Sequence, residues 1–205
     1  NLPMDTSLVR PAYEANQQAV RLASKVTPRE RAFIEAQSKR YGAEPVADRS
    51  PLDSAYVKAM ASVVRRFPKD DDAATLYAES LMDLRPWHYW TNAGKPEAPS
   101  TLEQVTVLQQ VVERSPNHPG ACHLYIHAVE ASPDAAHALP CAKRLQTLVP
   151  GAGHLVHMPT HIYMRLGMWD QAVEHNEHAV AADEQFIQDR HPTGVYPLAY
   201  YPHNL

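Results

Sequence analysis

Residues 116–149 read PNHPGACHLYIHAVEASPDAAHALPCAKRLQTLV, and residues 150–183, which follow directly, read PGAGHLVHMPTHIYMRLGMWDQAVEHNEHAVAAD. Laid one over the other, Pro150 falls on Pro116, His157 on His123 and His161 on His127, at an offset of 34 residues. Self-similarity at a fixed period of this size marks a repeat architecture, in which each unit buries its apolar face against its neighbours.

Upstream, helix start and stop signals recur at close intervals. Thr27-Pro28-Arg29-Glu30 reads as a capping box with proline in the first turn, and that helix is expected to run to Tyr41 with Gly42 just past its end. Ser50-Pro51-Leu52-Asp53 opens a second helix that Pro68 stops, Ser100-Thr101-Leu102-Glu103 a third closed by Ser115-Pro116, and Ser132-Pro133-Asp134 a fourth closed by Pro150. Leu102, Val105, Leu108, Val111 and Val112 keep helical spacing, and no sustained alternation of β-branched residues suggests a strand. The long loop from Arg85 to Pro99 carries Trp87, Tyr89 and Trp90, whose rings either seal a groove or anchor the loop on the core.

The run Gly167-Met168-Trp169, then Ala172, Asn176 and Ala179, with Tyr163 in the preceding helix, resembles the tetratricopeptide repeat (TPR) family, whose period is also 34 residues. The resemblance implies an all-α, TPR-like right-handed superhelix of antiparallel helix pairs, about eight helices here. It divides the chain into divergent N-terminal helices over 1–69, TPR-like repeats over 70–190, and the start of a further segment over 191–205 that continues beyond Leu205. Pro159 departs from the usual pattern and breaks the hydrogen-bond ladder of its helix, or starts it late.

Residues four apart lie on one helix face, roughly 5–6 Å apart at Cβ. His123 with His127, and His157 with His161, therefore form two pairs, each able to bind one ion. By the resemblance, these positions line the concave groove, together with Met164 and its counterpart Glu130. Packed helices lie about 8–10 Å apart, so the two pairs can converge. His154, one turn before His157, is a further ligand or a helix-start residue. Setting Pro68 over Pro116 puts Glu79 at the position of His127, and setting Tyr200–Asn204 over His157–His161 brings His203 near the groove behind Tyr200. Glu79, Glu130 and Tyr163 are the candidate catalytic groups, the last two also as partners for the second ring nitrogen of a ligating histidine. His175 and His178 read as outward surface residues, and His88, His118, His137 and His191 as loop or helix-end residues.

Imidazole suits zinc, copper, iron and nickel, and the carboxylates and thioethers nearby leave copper, iron and zinc undistinguished. The expectation is a metal-binding TPR-like protein, extending to a metal-dependent enzyme that activates water or dioxygen on a small-molecule substrate. The alternative is a TPR scaffold that binds a peptide or protein in the groove, the histidines being ordinary polar groove or core residues.

The bulk composition narrows the rest. The chain has 205 residues, is 44% hydrophobic and carries a formal net charge of -4, which argues against nucleic acid or an anionic membrane as main partner. No apolar run reaches the roughly 18 residues of a membrane-spanning helix, so a soluble chain is expected, with bacterial cytoplasm and periplasm both open. Its 7 glycines include no phosphate-cradling loop, and neither a Gly-x-Ser-x-Gly elbow nor a His-Glu-x-x-His pattern occurs. Cys122 and Cys141 make no disulfide framework; they read as buried thiols, with pairing on neighbouring helices the alternative.

Overall fold

The computed structural model describes residues 4–205; the first three residues of the expected 1–69 segment lie outside it. The fold is all-α and TPR-like. In chain order the helices are α1 (Thr6–Leu22), α2 (Pro28–Gln37), α3 (Ser50–Arg66), α4 (Asp71–Asp83), α5 (Pro99–Arg114), α6 (Pro119–Val129), α7 (Leu139–Leu148), α8 (Gly153–His157), α9 (Pro159–Arg165), α10 (Trp169–Arg190) and the single turn α11 (Tyr201–His203). No helix of the described residues is long and apolar enough to cross a membrane. The contacts divide the chain into two compact units: one runs to Tyr89 and includes Pro96–Val107, the other comprises Trp90–Lys95 and Leu108–Leu205.

In the first unit, α2 packs on α3 and α3 on α4. The Thr27 capping box forms as read, with the Thr27 side chain accepting from the Glu30 amide and the Glu30 carboxylate accepting from the Thr27 amide. This helix stops at Gln37, four residues before the expected Tyr41. Ser38 Oγ bonds the Glu35 carbonyl at 2.7 Å and the chain continues as turns, an instance of a short hydroxyl side chain competing for the backbone. Ala32, Ala36, Tyr56, Met60, Val63 and Ala73 form the buried core, with Phe33, Phe67 and Leu76 packed on it. The small alanines admit close approach of the helices, and the large Tyr56 and Met60 fill the space between.

In the second unit α6 packs on α7, α7 on α9, and both α8 and α9 on α10. Trp90 Nε1 donates to the Ala128 carbonyl at 2.7 Å, so this ring anchors the long loop on α6, whereas Trp87 stays exposed. Ser132-Pro133-Asp134 leads into a 3₁₀ turn over Ala135–Ala138 before α7 starts, which moves the helix N-cap from the expected Ser132 to Ala138, six residues later. Pro159 separates α8 from α9 at Met158, as a residue without an N–H must. The α9 to α10 turn closes on Gly167 at φ +71°, with Gly167 N–H donating to the Met164 carbonyl and Met168 N–H to the Tyr163 carbonyl. That is a Schellman ending, which a glycine enters without the Cβ penalty. Cys122 and Cys141 are both buried and free.

Candidate metal centre

Helix α6 is held at its start by the side chain of His118, whose Nδ1 accepts from the Ala121 amide at 3.1 Å. His123 and His127 follow on one face, with ring centroids 5.0 Å apart. Glu130 caps the helix, and its carbonyl accepts from Arg165 Nε at 2.6 Å, tying the end of α6 to α9. The broken α8–α9 pair presents His154, His157 and His161. The chain end returns through a π-type turn over Tyr196–Tyr200 to α11, which brings in His203.

These rings converge. His127 and His161, from the two successive units of the sequence repeat, have centroids 5.2 Å apart; His123 and His154 are 5.1 Å apart, and His157 and His203 4.6 Å. His157 and His161 are 4.9 Å apart, and the Tyr200 ring lies 5.1 Å from His154. Three sets of three potential ligand atoms lie within 4.8 Å of one another: His123, His127 and His154; His157, His161 and His203; and His127, Glu130 and His161. His127 and His157 are buried, His123, His154 and His161 half-buried, and His203 exposed, so the cluster has a wet edge at α11.

The proton positions follow from the partners. Glu130 Oε1 lies 2.8 Å from His127 Nδ1 and Oε2 lies 2.5 Å from His161 Nδ1. A carboxylate only accepts, so both Nδ1 atoms carry hydrogen, which leaves Nε2 as the atom through which either ring could ligate. His157 Nδ1 is likewise 2.8 Å from Asn176 Oδ1, which also accepts from Thr160 Oγ1 at 2.9 Å. His157 Nε2 and His161 Nε2 then face each other at 3.1 Å, close enough to share a proton or a cation. His154 Nε2 and His123 Nε2 approach to 3.3 Å. Two nitrogens bound at about 2.0–2.1 Å to one tetrahedral ion stand about 3.3 Å apart, and at a right angle about 2.9 Å, so both contacts match the edge of a coordination sphere.

Burial disfavours the charged rings, and neighbouring imidazoles add to the effect. Together they lower the pKa of His123 to about 3, of His154 to about 2 and of His157 to about 4, and they lower that of His203. Burial also raises the Glu130 carboxyl, but the bonds from His127 and His161 outweigh it and bring the value down to about 2. Neutral imidazoles at His123, His154 and His157 are in the protonation state that metal ligation requires. The negative end of α6 adds to the attraction for a cation.

Of the residues singled out in the sequence, the six histidines and Glu130 come together. Glu79 belongs to the first unit, where it lies 3.5 Å from Arg40 beside Asp83. Tyr163 is buried, its ring against His175 at 5.1 Å. Met164 is exposed. His175, read as a surface residue, is instead buried and hydrogen-bonded to Gln146, because α10 turns that face toward α7; His178 is exposed as expected. Sequence reasoning missed Asn176 as the partner of His157. The only signal was a polar residue at a position where the repeat pattern carries a bulky one.

The fold defines an all-helical protein of the TPR-like class. No protein-family model matches the chain, and no curated protein matches it. Among solved structures, the crystal structure of MamA aligns with 91% of this chain and 99% of its own, with a TM-score of 0.60 at 12% sequence identity, a likeness of fold alone.

Proposed function

We propose that this chain is a metal-binding protein whose histidine cluster holds a transition metal on a TPR-like scaffold, and that the metal serves reaction chemistry. The observation that carries the reading is the pair of facing Nε2 atoms on His157 and His161, 3.1 Å apart, with His161 Nδ1 turned to Glu130 and His157 Nδ1 to Asn176. Two ring nitrogens held that close are satisfied by a proton or by a metal ion between them, and the other ring nitrogen of each is already committed to Glu130 or Asn176. Imidazole donors suit copper, iron or zinc, and such an ion, when bound, polarises a substrate or activates water or dioxygen. Glu130 fixes the tautomer and orientation of two ligands, and the exposed edge at His203 gives a small molecule access.

The test is metal analysis of protein purified without an affinity tag, before and after reconstitution. About one equivalent or more of copper, iron or zinc is expected, with loss in the double variant His127→Ala, His161→Ala and an unchanged helical circular-dichroism signal. Less than about a tenth of an equivalent, with no uptake on reconstitution, contradicts the reading.

A second reading, a scaffold that binds a peptide or protein partner, has its own support. Met164, Leu166, Trp169 and Val173 are all exposed around the α9–α10 turn. Close by is an open cavity of ≈ 650 Å³, lined in part by Trp90, Asn92, Pro133, Arg165 and Leu166. Clustered apolar exposure of this kind is a common mark of interaction surfaces. A stoichiometric partner retained after chelation, and lost in Trp169→Ala, favours it.

A further inference from the structure

Resting on the metal reading, we infer that the cluster is built for two ions, each held by three imidazoles, with a small anion bridging them. The first triad is His123, His127 and His154, and the second is His157, His161 and His203.

Six imidazoles are more than one ion of this kind takes. Structural zinc has four ligands, and catalytic zinc keeps three protein ligands and one open position. The rings also sort themselves. Each triad contains one close approach of Nε2 atoms, 3.3 Å between His123 and His154 and 3.1 Å between His157 and His161. Each is the edge of a separate coordination sphere. The third ligand of each triad completes it, with His127 5.0 Å from His123 by ring centroid and His203 4.6 Å from His157.

Glu130 sits where a two-ion centre needs it. It does not have to be a ligand, because each of its oxygens already accepts from an Nδ1, His127 of the first triad and His161 of the second. One carboxylate thereby sets the ring orientation of one ligand on each side and offsets part of the charge of two cations. The competing arrangement, a single ion held by His127, Glu130 and His161, would break both of those bonds and leave His123, His154, His157 and His203 without a task.

Three neutral imidazoles per ion leave each ion cationic and with an open position. Two such ions side by side attract a small anion that can touch both, such as hydroxide, and a two-ion centre typically spans about 3.5–4 Å. Tyr200, with its ring 5.1 Å from that of His154, lies on the side from which α11 closes the cluster.

The experiment uses the full chain, stripped of metal and titrated with Cu(II), with bound copper counted after desalting and electron paramagnetic resonance recorded on the loaded protein. Two equivalents are expected. Azide should produce a new charge-transfer band, and the integrated spin should fall well below one per copper, because a bridging anion couples the two ions. His154→Ala and His203→Ala lie in different triads, and each should lower the count from two to one and restore a full mononuclear signal. A wild-type count of one that neither variant changes points to the ion on His127, Glu130 and His161, and overturns the two-ion assignment while leaving the metal reading intact. Two equivalents with full uncoupled spin, unaffected by azide, also overturn the bridged pair. A count of zero fails the metal reading itself.

Discussion

Glu130 is the residue on which the electrostatics of the cluster turn, because its two oxygens serve two rings at once. Partners of this kind typically change metal affinity 10–100-fold when removed. Glu130→Gln keeps the shape but offers one acceptor where two are needed. Its expected effect is a loss of metal affinity within that range, read by competition against a chromophoric chelator, with the helical signal unchanged. Asp83, in the first unit, supplies a prediction independent of the metal. Burial raises its pKa; Arg40, 2.9 Å away, opposes this, while Glu79 and Asp53 reinforce it, and the value reaches about 6. The folded chain thus holds this proton more tightly than the unfolded chain does. The stability it contributes is full below about 3.8 and is lost as pH rises through about 6, a change on the order of 2–3 kcal/mol. Denaturant titrations should show the wild type improving relative to Asp83→Asn from pH 7.5 to pH 5, while both lose stability over that range because the unfolded chain takes up the protons that folded His123, His154 and His157 refuse.

At the scale of elements, the second unit depends on how closely α8 approaches α10. A Cβ placed on Gly153 would lie 1.9 Å from Asp183 Oδ1, and Asp183 is fully buried, bonded by Tyr196 and Asn204 at 2.6 Å each. The same glycine that lets α8 dock on α10 therefore keeps intact the carboxylate that pins the chain end, and with it His203. Gly153→Ala should cost about 1–3 kcal/mol by overpacking, measured by denaturant titration, and should weaken metal binding through the displaced α11. Glycine's role here was not legible in the sequence, because it depends on a contact thirty residues away. The helix starts were legible where local chemistry decides them, as in the Thr27–Glu30 capping box. The end of α2 was not, because the chain tightens there to i→i+3 bonds, Lys39 to Ala36 and Arg40 to Gln37, a change that no pattern of apolar residues announces.

At the scale of the whole molecule, repetition explains what could be read in advance. A solenoid copies an angular position from one unit to the next, so an offset in sequence becomes a contact in space. That is why His123, His127, His157 and His161 could be placed together before any coordinates, and why His203 followed from a second alignment on one proline. The copying fails where an insertion interrupts it: Glu79, carried across the Arg85–Pro99 loop, pairs with Arg40 in the first unit. It is silent on contacts between the two helices of a unit, which is where Asn176 meets His157 and Tyr163 meets His175. Whether these imidazoles hold metal is decided by an X-ray emission scan followed by an anomalous-difference map on crystals of untagged protein. Strong difference density is expected among His123, His127, His154, His157, His161 and His203, within about 2.0–2.1 Å of their Nε2 atoms. A map that is featureless there after growth or soaking with copper and zinc, or whose peaks fall only on His88, His137 or other surface histidines, would contradict the metal reading.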